Sequence, residues 1–458
     1  MSQPLRAYHL PGFVPRVAGE VRRFADVEVE IARLDPRQLQ ETMTAAKECA
    51  RRRLRRRAVD DVLASIDRIV VNWLDPNYEL RQVAERALPA VTGFSAAMIG
   101  HGLPLLIEPL RAVAIGTLLD DELGNRGVLD TWRDGRRALG PALVAHVMSG
   151  NIPALAVTSM LLSLAVKSAA LVKSATGDLV FPALFAASVD AVDEELGHCL
   201  VATHWPGGDR AIEEVAFAGA DVVVGSGSDT AIAAIGARVP GRFIGHGHKI
   251  SFAAIGAESL ADADAAQHLA RRLAYDVSLW DQQGCLSPQL CYVESGGRVS
   301  PTDFAHMLAN GLRHYAGELP PRALNFEERA AVSRFRQEAE WRGTSTPALL
   351  ATTDTTDWTV SIEDNAEFVP SCLHRCIRVK VIDTLSDVGA AVLPHSRYLE
   401  AAGVAVGEQR FEQIAEMLAA CGVHRICPIG AMQRPPLSWQ QSGRPRVADW
   451  IQWTAQDE

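Results

Sequence analysis

Apolar residues recur on two different periods along this chain, and the order of the two periods suggests an architecture before any single residue does. Residues 1 to about 40 read as short strands and loops. From Gln40 to Trp73 and from Asn77 to Ile99 apolar positions return every three to four residues, the spacing of helices with one buried face. Between Thr131 and Val147 two short β-prone pieces flank Arg133-Asp134-Gly135-Arg136, where Asp-Gly supplies the positive φ angles of a tight hairpin turn. Strand and helix then alternate. A helix from Ala154 to Ser168 leads to a strand from Ala169 to Lys173, and a helix from Asp178 to His198 leads to a strand from Leu200 to Thr203. A helix from Arg210 to Ala218 leads to a strand from Asp221 to Gly225. Continuous apolar strands separated by helices of this length predict right-handed βαβ crossovers and a parallel sheet, whose ligands sit at the carboxyl ends of the strands.

Further on, Leu290 to Glu294 reads as a strand, Pro301 to Tyr315 and Phe326 to Trp341 as helices, and Trp358 to Ile362 and Ile377 to Val381 as strands of a second α/β domain. The polar, Thr-rich stretch from Ser345 to Thr356 is expected to be a loop. At 458 residues the chain is long enough for two or three cores. With 45 basic and 55 acidic residues its net charge is -10, which argues against a nucleic-acid partner held by the overall field. The apolar run from Ile152 to Val166 is interrupted by Thr158, Ser159 and Ser163 and stopped by Lys167, too short for a membrane span and suited to a buried helix. Eight scattered cysteines without metal-ligand spacing, and an N-terminus without an apolar leader, suggest reduced thiols, no metal and a cytoplasmic protein. The run Arg51-Arg52-Arg53-Leu54-Arg55-Arg56-Arg57 reads as a solvated helix face offset by Asp60 and Asp61, with a coenzyme-phosphate patch as its alternative.

Four loops carry candidate chemistry. Cys285 lies between Gly284 and Ser287-Pro288, a turn setting that favours an exposed nucleophile over a packed thiol. Asn151, in Ser149-Gly150-Asn151-Ile152-Pro153, carries an amide able to donate to an oxyanion, or to cap a helix. Lys173, Ser174 and Thr176 place a cation and two hydroxyls at a strand end, where ribose or phosphate oxygens bind. Gly225 and Ser226 open a small-residue turn whose amides suit a pyrophosphate.

The succession of Asn151-Ile152-Pro153, Lys173, Gly225-Ser226, Gly245-His246-Gly247-His248-Lys249 and Gln283-Gly284-Cys285 resembles the aldehyde dehydrogenase superfamily. Within it the chain resembles the LuxC-like acyl-CoA reductases, from about residue 90 through His374-Arg375-Cys376 to His424-Arg425-Ile426-Cys427-Pro428-Ile429-Gly430. The resemblance implies an α/β fold with two Rossmann-like domains and a small β oligomerisation element. Expected boundaries are 1–90 for a helical entry segment, 91–245 for the cofactor domain with its hairpin at 131–147, 246–425 for the catalytic domain and 426–458 for an oligomerisation tail. It also implies that Cys285 attacks an acyl thioester, that Asn151 and the Cys285 amide hold the oxyanion, and that coenzyme A or a carrier thiol leaves. Aldehyde follows by hydride from NADPH, with NADH as the alternative. Members that form free acids carry a glutamate four residues before the motif lysine; aligned on Lys249, that position is Gly245, so water has no base there. His246 and His248 are proton donors or structural loop histidines. NADPH is favoured because Ala175 replaces the glutamate that grips ribose hydroxyls in NAD-selective relatives. Expected partners are an acyl-CoA or acyl-carrier thioester, an acyl-transferring protein and a second copy of the chain, as homodimer or higher homo-oligomer. Two rival readings are a coenzyme-A-acylating aldehyde dehydrogenase and a non-catalytic acyl-binding subunit.

Overall fold

The computed structural model describes residues 3–11, 17, 19–342 and 348–456, and the chain divides into two compact units. The first comprises 1–247 with 436–440 and 444–458, the second 248–435 with 441–443.

The first unit opens with β1 (Leu5–Arg6), β2 (Gly19–Phe24) and β3 (Val27–Ala32), which form a three-stranded sheet. Five helices follow: α1 (Pro36–Arg52), α2 (Val59–Leu74), α3 (Glu79–Thr92), α4 (Ala96–Ile107) and α5 (Ala112–Leu123). The helical periodicity from Gln40 to Trp73 is interrupted inside the arginine run, where Arg51, Arg52, Arg53 and Arg56 are exposed as a solvated face requires, while the acids paired with the run are residues other than Asp60 and Asp61. Arg51 and Arg52 pair with Glu48, Arg53 with Glu195 and Arg57 with Asp193, while Arg55 donates to the Gly140 carbonyl. Six like charges within seven residues repel, and turning the backbone lets Arg53, Arg55 and Arg57 reach acceptors apart from Glu48.

The remaining elements of this unit are β4 (Arg136–Leu139), β5 (Leu143–Val147), α6 (Ala156–Ala165), β6 (Ala169–Lys173), α7 (Phe181–Val192), α8 (Glu194–Gly197), β7 (Leu200–Thr203), α9 (Arg210–Ala218), β8 (Val222–Ser226), α10 (Asp229–Gly236) and β9 (Arg242–His246). Strands β5 to β9 form one parallel sheet in the order β7-β6-β5-β8-β9. The expected hairpin over 131–147 is therefore divided. Arg133 and Arg136 do exchange backbone hydrogen bonds across Asp134 and Gly135, both at positive φ. Beyond that turn, however, β5 is the central strand of the parallel sheet, because Leu143, Val144 and Ala145 are apolar on both faces and are covered on both.

The second unit holds β10 (Ile250–Ile255), α11 (Ala263–Ser278), β11 (Pro288–Glu294), α12 (Pro301–Glu318), α13 (Phe326–Arg342), β12 (Leu349–Ala351), β13 (Thr359–Glu363), β14 (Cys376–Ile382), α14 (Ser386–Val392), β15 (Leu399–Ala405), α15 (Glu408–Ala420) and β16 (Arg425–Pro428). Its seven-stranded sheet runs β12-β13-β14-β11-β10-β15-β16, parallel except for β12. Strand β12 falls within the expected Ser345–Thr356 loop, of which residues 345–347 lie outside the described residues. The expected tail from residue 426 is shared between the units: β16 is an edge strand of the second sheet, while β17 (Gln452–Ala455) pairs antiparallel with β4 in the first unit. Among the described residues no single helix is long and apolar enough to cross a membrane.

Candidate active site

In the first unit, strand order reverses between β5 and β8, the place where open α/β sheets leave a crevice at their carboxyl edge. One row of the sheet marks that edge: Thr203, Lys173, Val147, Gly225 and Gly245 are neighbours across the five strands. Asn151 lies on the loop after β5 and is exposed. Helix α6 begins only at Ala156, so Asn151 is not its cap.

Lys173 is half-buried, and burial lowers its pKa against the pull of Glu213. Thr176 reaches the surface, but Ser174 does not: it is fully buried, with its amide bonded to the Thr203 carbonyl at 2.8 Å. The Ser174 hydroxyl is thus removed from the set that could meet a ribose phosphate, because successive residues leaving a strand point to opposite sides. At the third loop the Gly227 amide is already bonded to the His246 carbonyl at 3.1 Å. Gly225 is a packing glycine, since a Cβ there would stand 3.2 Å from the Phe243 ring. Ser226 remains half-exposed at the strand end.

Gly245 explains the missing carboxylate in structural terms. It sits in β9 under α10, and a Cβ would fall 2.6 Å from Ile232 Cγ2. No glutamate fits there without lifting the helix. Lys249, in the second unit, donates to the Arg397 carbonyl at 3.0 Å and stands 4.0 Å from Glu400.

Asp178 is a site residue that the sequence reading missed. Its buried carboxylate accepts from the Ala154 amide at 3.1 Å and the Phe181 amide at 3.4 Å, clamping the Asn151 loop to the loop after β6. The two loops touch at Gly150 and Gly177, where a Cβ on Gly177 would collide with the Gly150 carbonyl oxygen. Burial raises the Asp178 carboxyl from 3.8 to about 7. A raised carboxyl pKa means that the folded chain holds a proton which the unfolded chain releases. Its contribution is full below about pH 4 and lost as pH rises through about 7. Asp178→Asn abolishes the titration while replacing one of the two accepting oxygens by an NH2 group, so the stability of the variant relative to wild type should rise between pH 4 and pH 8 by on the order of 1–3 kcal/mol. Urea midpoints at the two pH values measure this; equal slopes in both proteins would place the buried proton elsewhere.

In the second unit Cys285 is half-exposed between buried Gly284 and Leu286. Ser251 Oγ fixes the loop by donating to the Cys285 carbonyl at 2.6 Å while accepting from the Ala401 amide at 3.1 Å. None of the eight cysteines is in a disulfide, and Cys291, six residues on, is buried in β11 where desolvation pushes its thiol far up.

Two left-handed turns hold that loop, and neither is announced by glycine. Trp280, Asp281 and Gln282 have φ of 55°, 50° and 64°; Leu373, His374 and Arg375 have φ of 66°, 57° and 58°. The Gln282 amide donates to the Pro288 carbonyl at 2.7 Å and the Cys376 carbonyl at 2.8 Å, and accepts from the Cys376 amide at 3.0 Å. Arg375 donates to Asp281 at 2.9 Å with both side chains inaccessible to water. Asp281 also accepts from the Arg322 amide at 3.0 Å, and Gln283 meets His374 at 3.2 Å. The motif His374-Arg375-Cys376 is thereby explained as the partner of the segment that leads into Cys285.

Among solved structures the chain is similar to indole-3-acetaldehyde dehydrogenase complexed with NAD+ (TM-score 0.73, 14% identity, 99% and 97% of the two chains). It is also similar to 3,6-anhydro-L-galactose dehydrogenase in complex with NAP (TM-score 0.70, 15% identity, 98% of each) and to lactaldehyde dehydrogenase from Escherichia coli (0.68, 12%, 99% of each). The fold is that of the aldehyde dehydrogenases. Among curated proteins it is 26% identical to the long-chain acyl-protein thioester reductase of Photorhabdus laumondii, over 69% of this chain and 65% of that one. It is 25% identical to long-chain acyl-protein thioester reductase 2 of Photobacterium leiognathi over 78% and 74%, and 26% identical to the Photorhabdus luminescens protein over the same shares. The match thus spans about two thirds to three quarters of the relatives' own length. Residues 54–444 match the acyl-CoA reductase (LuxC) family, and with the aldehyde dehydrogenase fold beneath that match, the chain belongs to this family.

Proposed function

We propose that this chain reduces a fatty acyl thioester to an aldehyde with a reduced nicotinamide cofactor, Cys285 carrying the acyl group between two half-reactions. Family membership and the relatives' thioester-reductase names support the reaction class. The observation that carries the assignment is the half-exposed Cys285 thiol on a doubly anchored loop.

Cys285 thiolate attacks the acyl carbonyl carbon; a new C–S bond forms, and the carrier thiolate leaves and takes up a proton. The Asn151 amide and the Cys285 N–H are assigned to the oxyanion of the tetrahedral intermediate. The nicotinamide, when bound, supplies the hydride. The resulting thiohemiacetal releases aldehyde and returns the thiolate. With no side chain at position 245, the thioacyl enzyme lacks a carboxylate there to activate water, which suits transfer to hydride over hydrolysis.

Lys173 and Thr176 are assigned to the ribose side of the cofactor and favour NADPH over NADH, since Ala175 offers no carboxylate to repel a 2′-phosphate. Ser226 completes the edge at the switch point. The β4 and β17 ribbon, with Trp132 and Trp453 exposed, is assigned to contact with a second copy of the chain.

The test is oxidation of NADPH or NADH, followed at the nicotinamide band, with long-chain acyl-CoA and acyl-protein thioesters, aldehyde being trapped as product. Turnover only with aldehyde, NAD(P)+ and coenzyme A would favour the oxidative reading; no turnover in either direction would favour the binding subunit. Asn151→Ala should lower kcat by roughly a hundredfold or more with cofactor affinity retained. Acylation of Cys285 at the wild-type rate in a quench-flow experiment would remove Asn151 from the oxyanion site.

A further inference from the structure

The second unit contains an open pocket of about 290 Å³ lined by Arg271, Arg272, Arg434, His268, Tyr275 and Tyr315, with Gly430 in its wall. No carboxylate lines it, in a chain whose net charge is -10. The Arg434 guanidinium lies over the Tyr275 ring, 5.6 Å from its centroid, and donates to its hydroxyl at 3.2 Å. The Tyr275 and Tyr315 rings are tilted together with centroids 5.6 Å apart. Arg271 meets His314 at 2.6 Å, and His314 in turn pairs with Glu318 at 3.0 Å. Gly430, at φ +90°, lets the backbone approach Arg272 so closely that a Cβ would stand 2.7 Å from Arg272 Nε.

Asp276, next to Tyr275 in the chain, accepts from the Gly430 and Met432 amides and is buried. It holds the backbone through these amides and interacts electrostatically with Arg272, while none of the three guanidiniums has a carboxylate in the pocket lining. Three guanidiniums beside two aromatic faces match phosphate esters joined to a planar base, or a phosphate on a slender arm, better than they match an acyl chain.

The cavity is tied to the nucleophile. Tyr275 and Asp276 belong to the last turn of α11, whose chain continues through the left-handed turn into Cys285. On the other wall Arg434 follows Gln433, whose amide donates to Ser287 Oγ at 2.6 Å, two residues beyond Cys285.

We propose that this cavity binds the phosphate groups of a pantetheine-type thiol carrier whose acyl group Cys285 accepts. The proposal rests on the thioester reading above and names the donor's chemistry. Free coenzyme A and the phosphopantetheine arm of a carrier protein share that chemistry.

The test compares wild type with the double variant Arg272→Gln, Arg434→Gln on four thioesters of one fatty acid: acyl-CoA, acyl-dephospho-CoA, acyl-carrier protein and S-acyl-N-acetylcysteamine, which has no phosphate. The expected result is a fall of about tenfold or more in the kcat/KM ratio of a phosphorylated thioester to the N-acetylcysteamine thioester. A fall with both CoA thioesters identifies the coenzyme, and a fall with the carrier-protein thioester alone identifies the arm. Unchanged ratios for all three phosphorylated donors overturn the proposal. Binding of unacylated coenzyme A and of unacylated carrier protein, measured by calorimetry with NADPH saturating, is a second readout that needs no turnover. Arginine-dependent binding without aldehyde from any thioester would keep the cavity and sink the reductase reading; the same affinity in wild type and variant, or no binding of either carrier by wild type, would sink the cavity.

Discussion

Cys285→Ser or Cys285→Ala is expected to lower aldehyde formation by at least about a thousandfold while the protein still folds and binds its nicotinamide. The size of the effect follows from covalent catalysis, in which hydride can be delivered only to a carbon already held on sulfur. Serine keeps the shape but not the chemistry, because a hydroxyl is a far poorer nucleophile than a thiolate at neutral pH. The loop should survive either change, since its anchors run through the Cys285 carbonyl to Ser251 and the Ser287 amide to Gly284, not through the thiol. Intact-protein mass spectrometry after mixing with an acyl thioester should show one added acyl group in wild type and none in Cys285→Ala. Cys291→Ala serves as the control, because that thiol is buried and its pKa is raised by desolvation. An acyl adduct that persists in Cys285→Ala, or turnover that disappears in Cys291→Ala, would overturn the assignment.

Arg375→Ala is expected to cost about 3–5 kcal/mol of stability, the scale for removing one partner of a buried ion pair, because Asp281 would keep its charge where water cannot reach it. Two strained backbone segments depend on the same contact. Six non-glycine residues in left-handed conformations carry penalties of roughly 1–2 kcal/mol each, which persist only where the surroundings overdetermine them. The Arg375 to Asp281 pair and the three Gln282 hydrogen bonds do so here. Guanidinium unfolding of Arg375→Ala, Asp281→Ala and the double variant should show the double losing less than the sum of the singles, by about 1 kcal/mol or more. If Arg375→Ala unfolds at the wild-type midpoint, the pair is not what holds the turns. The acylation rate of Cys285 is the functional readout, and it should fall in Gln282→Ala even where most of the protein stays folded, since that amide spans from the nucleophile segment to β14.

Gly245 shows how structure changes the interpretation of a sequence feature. The chain lacks a glutamate before the motif lysine, and the sequence alone suggests that restoring one would restore hydrolysis. Packing of Ile232 and Phe243 against Gly245 closes that route, because the Cβ itself has no room. A hydrolytic variant would have to place its carboxylate elsewhere.

The elements legible in the sequence were those whose environment is the same on both faces or whose chemistry is local. Strands β6 and β7 and helix α9 match their expected limits to the residue: the strands are buried on both sides and read as unbroken apolar runs, and Asp209 caps the helix by accepting from the Ile212 amide. The Cys285 loop was legible because Gly284 and Ser287-Pro288 punctuate it. The sequence did not show that β5 belongs to the parallel sheet, nor that β4 takes its partner from the far end of the chain. A short apolar strand carries no label for its neighbour; register is settled by which faces are covered. The left-handed turns and the buried Asp178 were invisible for a related reason. Trp280, Asp281 and Gln282 have no intrinsic preference for positive φ, and their conformation is imposed by partners 94 positions away. Local propensity, worth tenths of a kcal/mol to about one per residue, determined where strands and helices form; buried ion pairs and multiple hydrogen bonds, worth several, decided how the Cys285 loop is held.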